Sequence, residues 1–96
     1  MPAITRDTVV VAGRDQVASD LAGETVLLGL RTARYYGLAD VGARIWALLH
    51  DPIAVSAIAE TIAGEYDVAR DRCEADVLRF LEELADQGLI EVRSGA

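Results

Sequence analysis

The chain has 96 residues, 52% of them apolar, and 16 acids against 9 basic residues give a net charge of −7. That length supports one modest core and is too short for most enzymes, while the apolar fraction rules out a disordered chain. The negative balance repels nucleic acid and anionic membrane surfaces, and makes an arginine- or lysine-bearing partner easy to attract.

Every basic residue is arginine, with no lysine or asparagine anywhere, which reads as genomic bias, not chemistry. Cys73 is the only cysteine, so no intrachain disulfide is expected. No apolar run approaches the roughly 18–20 residues of a membrane span, and residues 1–15 lack the basic-then-apolar order of a signal peptide. The cytoplasm is the expected compartment. Without repeats, low-complexity stretches or a Pro/Gly/Ser-rich linker, residues 1–96 read as one domain.

Residues 1–7 read as a loose end. Residues 8–12 are β-rich and stop at Gly13, and residues 16–20 form a further short strand closed by a turn around Ala22 and Gly23. Residues 24–30, Glu-Thr-Val-Leu-Leu-Gly-Leu, are the strongest strand in the chain. A polar break at 31–33 precedes a second β-prone run at 34–38, which predicts a hairpin. At Asp40 the period changes. Asp40 is placed to cap a helix whose apolar positions Val41, Ile45, Leu48 and Leu49 recur at helical spacing, ending near His50-Asp51-Pro52. A second helix is expected over 55–65 and a third over 70–87, stopped by Gly88, with a last strand at 89–92. The fold class is α+β and winged-helix-like: an N-terminal three-stranded antiparallel sheet, three helices and a short terminal strand.

The third helix is too apolar for one contact. At 100° per residue, Phe80, Cys73, Leu84 and Val77 share a narrow arc, and Leu81, Ala85 and Leu78 extend it by about another 100°. So wide an arc either lies wholly in the core or touches something besides the core. The 34–38 strand offers that second element. As the last strand of its sheet it has an unpaired edge, and Arg34 is its only charge, with no proline to blunt it. An open edge beside an apolar helix face makes a groove for an added β-strand.

Catalytic parts are missing. His50 has no second histidine or cysteine at metal-ligand spacing, so neither a metal nor a cofactor is expected. Cys73 lies on the apolar arc as a small hydrophobe, and the serines have no nearby histidine. The glycines form neither a phosphate loop nor a dinucleotide fingerprint. Glu82 and Glu83 are adjacent on a helix and diverge. A DNA-binding winged helix is disfavoured, because the third helix sets Arg70, Arg72 and Arg79 against six acids.

The runs at 24–30, 34–38 and 41–46 (Val-Gly-Ala-Arg-Ile-Trp), with 75–84 and the Gln-Gly-Leu-Ile at 87–90, resemble the PqqD-like family over residues 16–92. The resemblance implies a RiPP precursor peptide recognition element, a non-catalytic adaptor. In it the leader region of a ribosomally made precursor adds antiparallel to the third strand and lies against the third helix. Carried over by position, the strand is Arg34, Tyr35, Tyr36, Gly37 and Leu38, and the helix wall is Cys73, Asp76, Val77, Phe80, Leu81 and Leu84. The tyrosine-rich strand and Ile45-Trp46 look most like the free-standing lasso-peptide version. That version implies a precursor leader peptide as ligand, a transglutaminase-like cysteine protease that removes the leader, and a cyclase that closes the ring. The alternatives are a PqqD-type peptide chaperone for a radical SAM enzyme in quinone cofactor biosynthesis, a DNA-binding regulator, and a structural subunit of a larger enzyme. Residues 4–13 have no clear part in the resemblance and are expected only to extend the sheet.

Overall fold

A computed structural model describes residues 4–22 and 24–93. Strands β1 (Val9–Ala12), β2 (Gln16–Leu21), β3 (Glu24–Gly29) and β4 (Arg34–Leu38) precede helix α1 (Val41–Leu48). The two-residue strand β5 (Ile53–Ala54) leads into α2 (Val55–Tyr66), followed by α3 (Arg70–Asp86) and β6 (Ile90–Arg93).

The predicted hairpin is present. β3 pairs antiparallel with β2 on one side and β4 on the other, giving the order β2-β3-β4. Its side chains alternate as a half-buried strand must, with Thr25, Leu27 and Gly29 inward. A Cβ at Gly29 would lie 2.9 Å from Thr32 Oγ1, so a larger residue there requires the Thr32 side chain to move. The β3–β4 turn closes with Ala33 in the left-handed region, φ 56°, its N–H donating to the Gly29 carbonyl at 2.8 Å.

β1 departs from expectation. Instead of extending the hairpin sheet, it is the centre of a second antiparallel sheet, β5-β1-β6, and Val10 is fully buried. Its partners precede α2 and follow α3, so this sheet ties the N-terminal segment to the helical part of the chain. A two-residue strand such as β5 has too short a pattern to read in advance.

α3 ends as its sequence predicts. Gly88 takes φ 74°, its N–H bonds the Ala85 carbonyl at 3.0 Å, and the Leu89 N–H bonds the Leu84 carbonyl at 3.0 Å, a Schellman ending. α1 begins differently. Asp40 occupies the N-cap position but makes no side-chain capping bond, and its backbone is at φ 51°, ψ −118°. It turns the chain sharply from β4 into α1 instead of capping. The core joins both sheets to all three helices, with Leu27, Leu49, Ile58, Leu81 and Leu89 fully buried.

Candidate peptide-binding groove

The free side of β4 follows from hydrogen-bond parity. The Leu30 N–H donates to the Asp15 carbonyl at 2.9 Å, in line with the β2–β3 register. Bonded pairs alternate in an antiparallel ladder, so Thr25, Leu27 and Gly29 direct their main-chain groups towards β4. Their partners Leu38, Tyr36 and Arg34 are therefore engaged with β3, and the N–H and C=O groups of Tyr35 and Gly37 face outward. Among the described residues, no strand pairs with that edge.

Side chains follow the same parity. Tyr36 and Leu38 point to the core side, where Tyr36 is half-buried and Leu38 buried, whereas Tyr35 is 74% exposed on the opposite face. The Tyr36 hydroxyl donates to Gln87 Oε1 at 2.8 Å and lies 3.2 Å from Thr32 Oγ1. This link ties the middle of β4 to the C-terminal end of α3 and sets the width of the gap between them.

Beside the open edge lies a cleft of about 390 Å³, walled by Tyr36, Gly37 and Leu38 on one side and by Phe80, Glu83 and Leu84 on the other. Further along α3 a second depression, about 280 Å³, is bounded by Val41, Gly42, Ile45, Ile62, Cys73 and Val77. Phe80 lines both and stands between them. A Cβ on Gly42 would sit 3.6 Å from the Phe80 ring, so the start of α1 abuts the same ring. One apolar groove thus runs along α3, with Arg72 and Asp76 at one end and Glu83 and Asp86 at the other.

Ten of the eleven residues expected at the site fall on this groove or on its strand. Arg34, Tyr35, Tyr36, Gly37 and Leu38 form β4, while Cys73, Asp76, Val77, Phe80 and Leu84 line the two depressions. Leu81 does not. It is 0% exposed and touches neither depression, because its position on α3 faces the centre of the core. The wide apolar arc therefore serves two purposes: Cys73, Val77, Leu81 and Leu84 are buried, while half-buried Phe80 flanks the cleft.

Cys73 is not set up as a nucleophile. Burial raises its pKa, with a smaller push in the same direction from Asp76, and its Sγ–H donates to the Ala59 carbonyl at 3.5 Å. Arg44 on α1 makes a two-pronged bond to Glu65 on α2, at 2.9 and 2.8 Å. That bond holds Arg44 above its ordinary pKa and Glu65 below the usual carboxylate range. It braces the two helices that close the smaller depression. Among the described residues, no three His, Cys, Asp or Glu side chains gather as a metal site, and no helix is long and apolar enough to cross a membrane.

The sequence reading missed Gly42, Ile62, Tyr66 and Gln87. Tyr66 carried a signal, an aromatic one turn beyond Ile62 on the same stripe. Gln87 carried none, since its partner Tyr36 is 51 residues away.

Residues 24–90 match the family model of coenzyme PQQ synthesis protein D (PqqD). Among solved structures, TbiB1 in complex with the TbiA(beta) leader peptide is 38% identical, with a TM-score of 0.78 over 84% of this chain and 94% of that one. The stand-alone RiPP recognition element truncated from PqqCD of Methylobacterium extorquens is 26% identical, TM-score 0.76, covering 93% and 95%. Lasso peptide synthetase B1 complexed with its leader peptide shares the fold at 24% identity, TM-score 0.76, covering 85% and 96%. No curated protein matches the sequence. The open β4 edge, the groove along α3 and the match across residues 24–90 agree: this chain belongs to the PqqD family.

Proposed function

We propose that this protein is a non-catalytic adaptor that binds the leader region of a ribosomally synthesised precursor by strand addition to β4. The observation that carries the reading is the outward-facing main chain of Tyr35 and Gly37 directly beside the Phe80–Leu84 cleft. Main-chain bonds there supply affinity for any extended peptide, and the cleft selects among side chains. An antiparallel leader enters near Leu38 and Phe80 and leaves past Arg34, because β4 runs the other way. Its inward side chains fall first on the depression beyond Leu38 and then on the cleft beside β4, on either side of Phe80. Arg34, Tyr35, Tyr36, Gly37 and Leu38 form the pairing strand, and Cys73, Asp76, Val77, Phe80 and Leu84 form the wall.

The leader complex of TbiB1, at 38% identity over most of both chains, supports this reading. The finer assignment is to lasso-peptide biosynthesis, supported by the tyrosine-rich strand and Ile45-Trp46. In it the loaded adaptor presents the precursor to a leader-removing, transglutaminase-like cysteine protease and then to a cyclase, in the cytoplasm where ribosomal precursors emerge. Isothermal titration with the TbiA(beta) leader peptide and with leaders encoded beside this gene tests the proposal. Saturable one-to-one binding is expected, with no cleavage of the peptide by the purified protein. Absence of binding to every such leader, or cleavage by the adaptor alone, overturns it.

A further inference from the structure

The other edge of the same sheet is also open. β2 pairs with β3 through Val17, Ser19 and Leu21, by the parity that places the Leu30 N–H on the Asp15 carbonyl. The N–H and C=O groups of Gln16, Ala18 and Asp20 therefore face outward, and no described residue pairs with them. Five of the six β2 residues are exposed, including Val17 at 52% and Leu21 at 61%. Natural sheets usually protect such an edge with proline, lysine or a bulge. β2 has only Asp20, and small Ala18 and Ser19 leave the approach clear.

We infer that β2 is a self-association edge, taking β2 of a second copy in antiparallel register about a two-fold axis at Ala18. The β2 edge is self-complementary in this register. A symmetric antiparallel pair must match outward-facing residues with each other. Among the axes that do so, only the one at Ala18 keeps Gln16, Ala18 and Asp20 all in bonded pairs, whereas an axis at Val17 or Ser19 keeps two of them. An axis at Asp20 sets two carboxylates directly opposite and uses only the end of the strand. An axis at Gln16 pairs only its beginning. The Ala18 axis overlaps residues 16–20, five of the six in the strand, sets Gln16 against Asp20 of the second copy and Val17 against Ser19, and opposes no like charges. Each outward-facing pair then exchanges two main-chain bonds. The two β4 edges end up at opposite extremes of one continuous sheet, so association leaves both leader grooves free. A strand-edge contact buries less than the roughly 1,600 Å² of a standard interface, so the dimer is weak. The charge of −7 on each copy opposes it, so salt strengthens it.

Sedimentation equilibrium of the full chain from about 10 µM to about 1 mM tests this. The average mass should rise from 10.3 kDa towards twice that value, and further at higher salt. Ala18→Pro removes an outward N–H without touching the β3 ladder and should stay monomeric. Ala18→Glu, which sets two carboxylates at the axis, serves the same purpose if the proline variant does not fold. Ala18→Cys should form a symmetric disulfide on mild oxidation, the facing Cα atoms being about 5.5 Å apart, and Val17→Cys should not. A mass of 10.3 kDa throughout, or an Ala18→Glu variant that associates like the wild type, overturns the inference. So does dissociation of the dimer by the TbiA(beta) leader peptide, which would place association at β4. The inference does not rest on leader binding: a protein that dimerises but binds no leader sinks only the functional reading, and the reverse result sinks only this one.

Discussion

β2 and β4 are the two edges of one sheet, and both present main-chain groups that want partners, yet their surroundings differ. Beside β4 lies the α3 face with Phe80 and Leu84, whereas β2 is exposed on nearly all sides. Main-chain groups are alike in every strand, so an open edge alone has little power to choose among peptides. Choice comes from pockets spaced to receive alternate side chains, and only β4 has a helix close enough to provide them. β2 has no such helix beside it, so in the self-association inferred above only register and the opposed side chains discriminate.

The largest expected effect separates the two main-chain directions along β4. Tyr35→Pro and Gly37→Pro each delete an outward N–H and should weaken leader binding by about 100-fold or more, with a native circular dichroism spectrum. Tyr36→Pro deletes a bond to β3 and should damage the fold itself. If Tyr35→Pro unfolds the protein and Tyr36→Pro does not, the ladder parity is reversed.

Next comes the division of α3. Leu81→Ala empties a fully buried site and should cost about 2–5 kcal/mol in urea denaturation. Phe80→Ala, on a half-buried ring, should cost less in stability and more in leader affinity. Equal stability losses with unchanged binding would return Phe80 to the core.

Hydrogen exchange sharpens the comparison without any substitution. Leader addition should slow the amides of Tyr35 and Gly37 while leaving those of Gln16, Ala18 and Asp20 as they were, and raising protein concentration should do the opposite. Slowing confined to the helices would contradict strand addition.

Tyr35→Ala should be mild, within about 0.5 kcal/mol in stability, because the ring is mostly in water and its backbone makes the contact. The smallest effect concerns the Arg44–Glu65 brace. The pKa of Glu65 is lowered in the folded protein, so its contribution is present above the unfolded carboxylate value and is lost as pH falls through the folded one. The pair is exposed and screened by salt, so the change is slight. The stability difference between wild type and Glu65→Gln should vanish on acidification, and a difference that grows instead would contradict the brace. Loosening α1 from α2 should reach the smaller depression along α3 and leave β2 unchanged.

By itself, the sequence determined the local elements. Alternation in Glu24–Gly29, the helical spacing from Val41, and Gly88 as a stop are properties of short stretches, and they act through near neighbours. The breadth of the apolar arc on α3 was legible too, but not whether all of it was core or part of it faced a partner. What tertiary structure alone decided was how distant segments meet. β1 left the hairpin sheet because β5 and β6 lay within reach of its hydrogen bonds, at separations no local pattern encodes. Leu81 lies in the core with Leu27, Leu49 and Leu89, while Phe80 is half-buried beside the cleft, a division of the wide arc that packing between distant segments sets. The open edge itself arises from parity, since only the pairing of Arg34, Tyr36 and Leu38 with β3 leaves Tyr35 and Gly37 to face a partner.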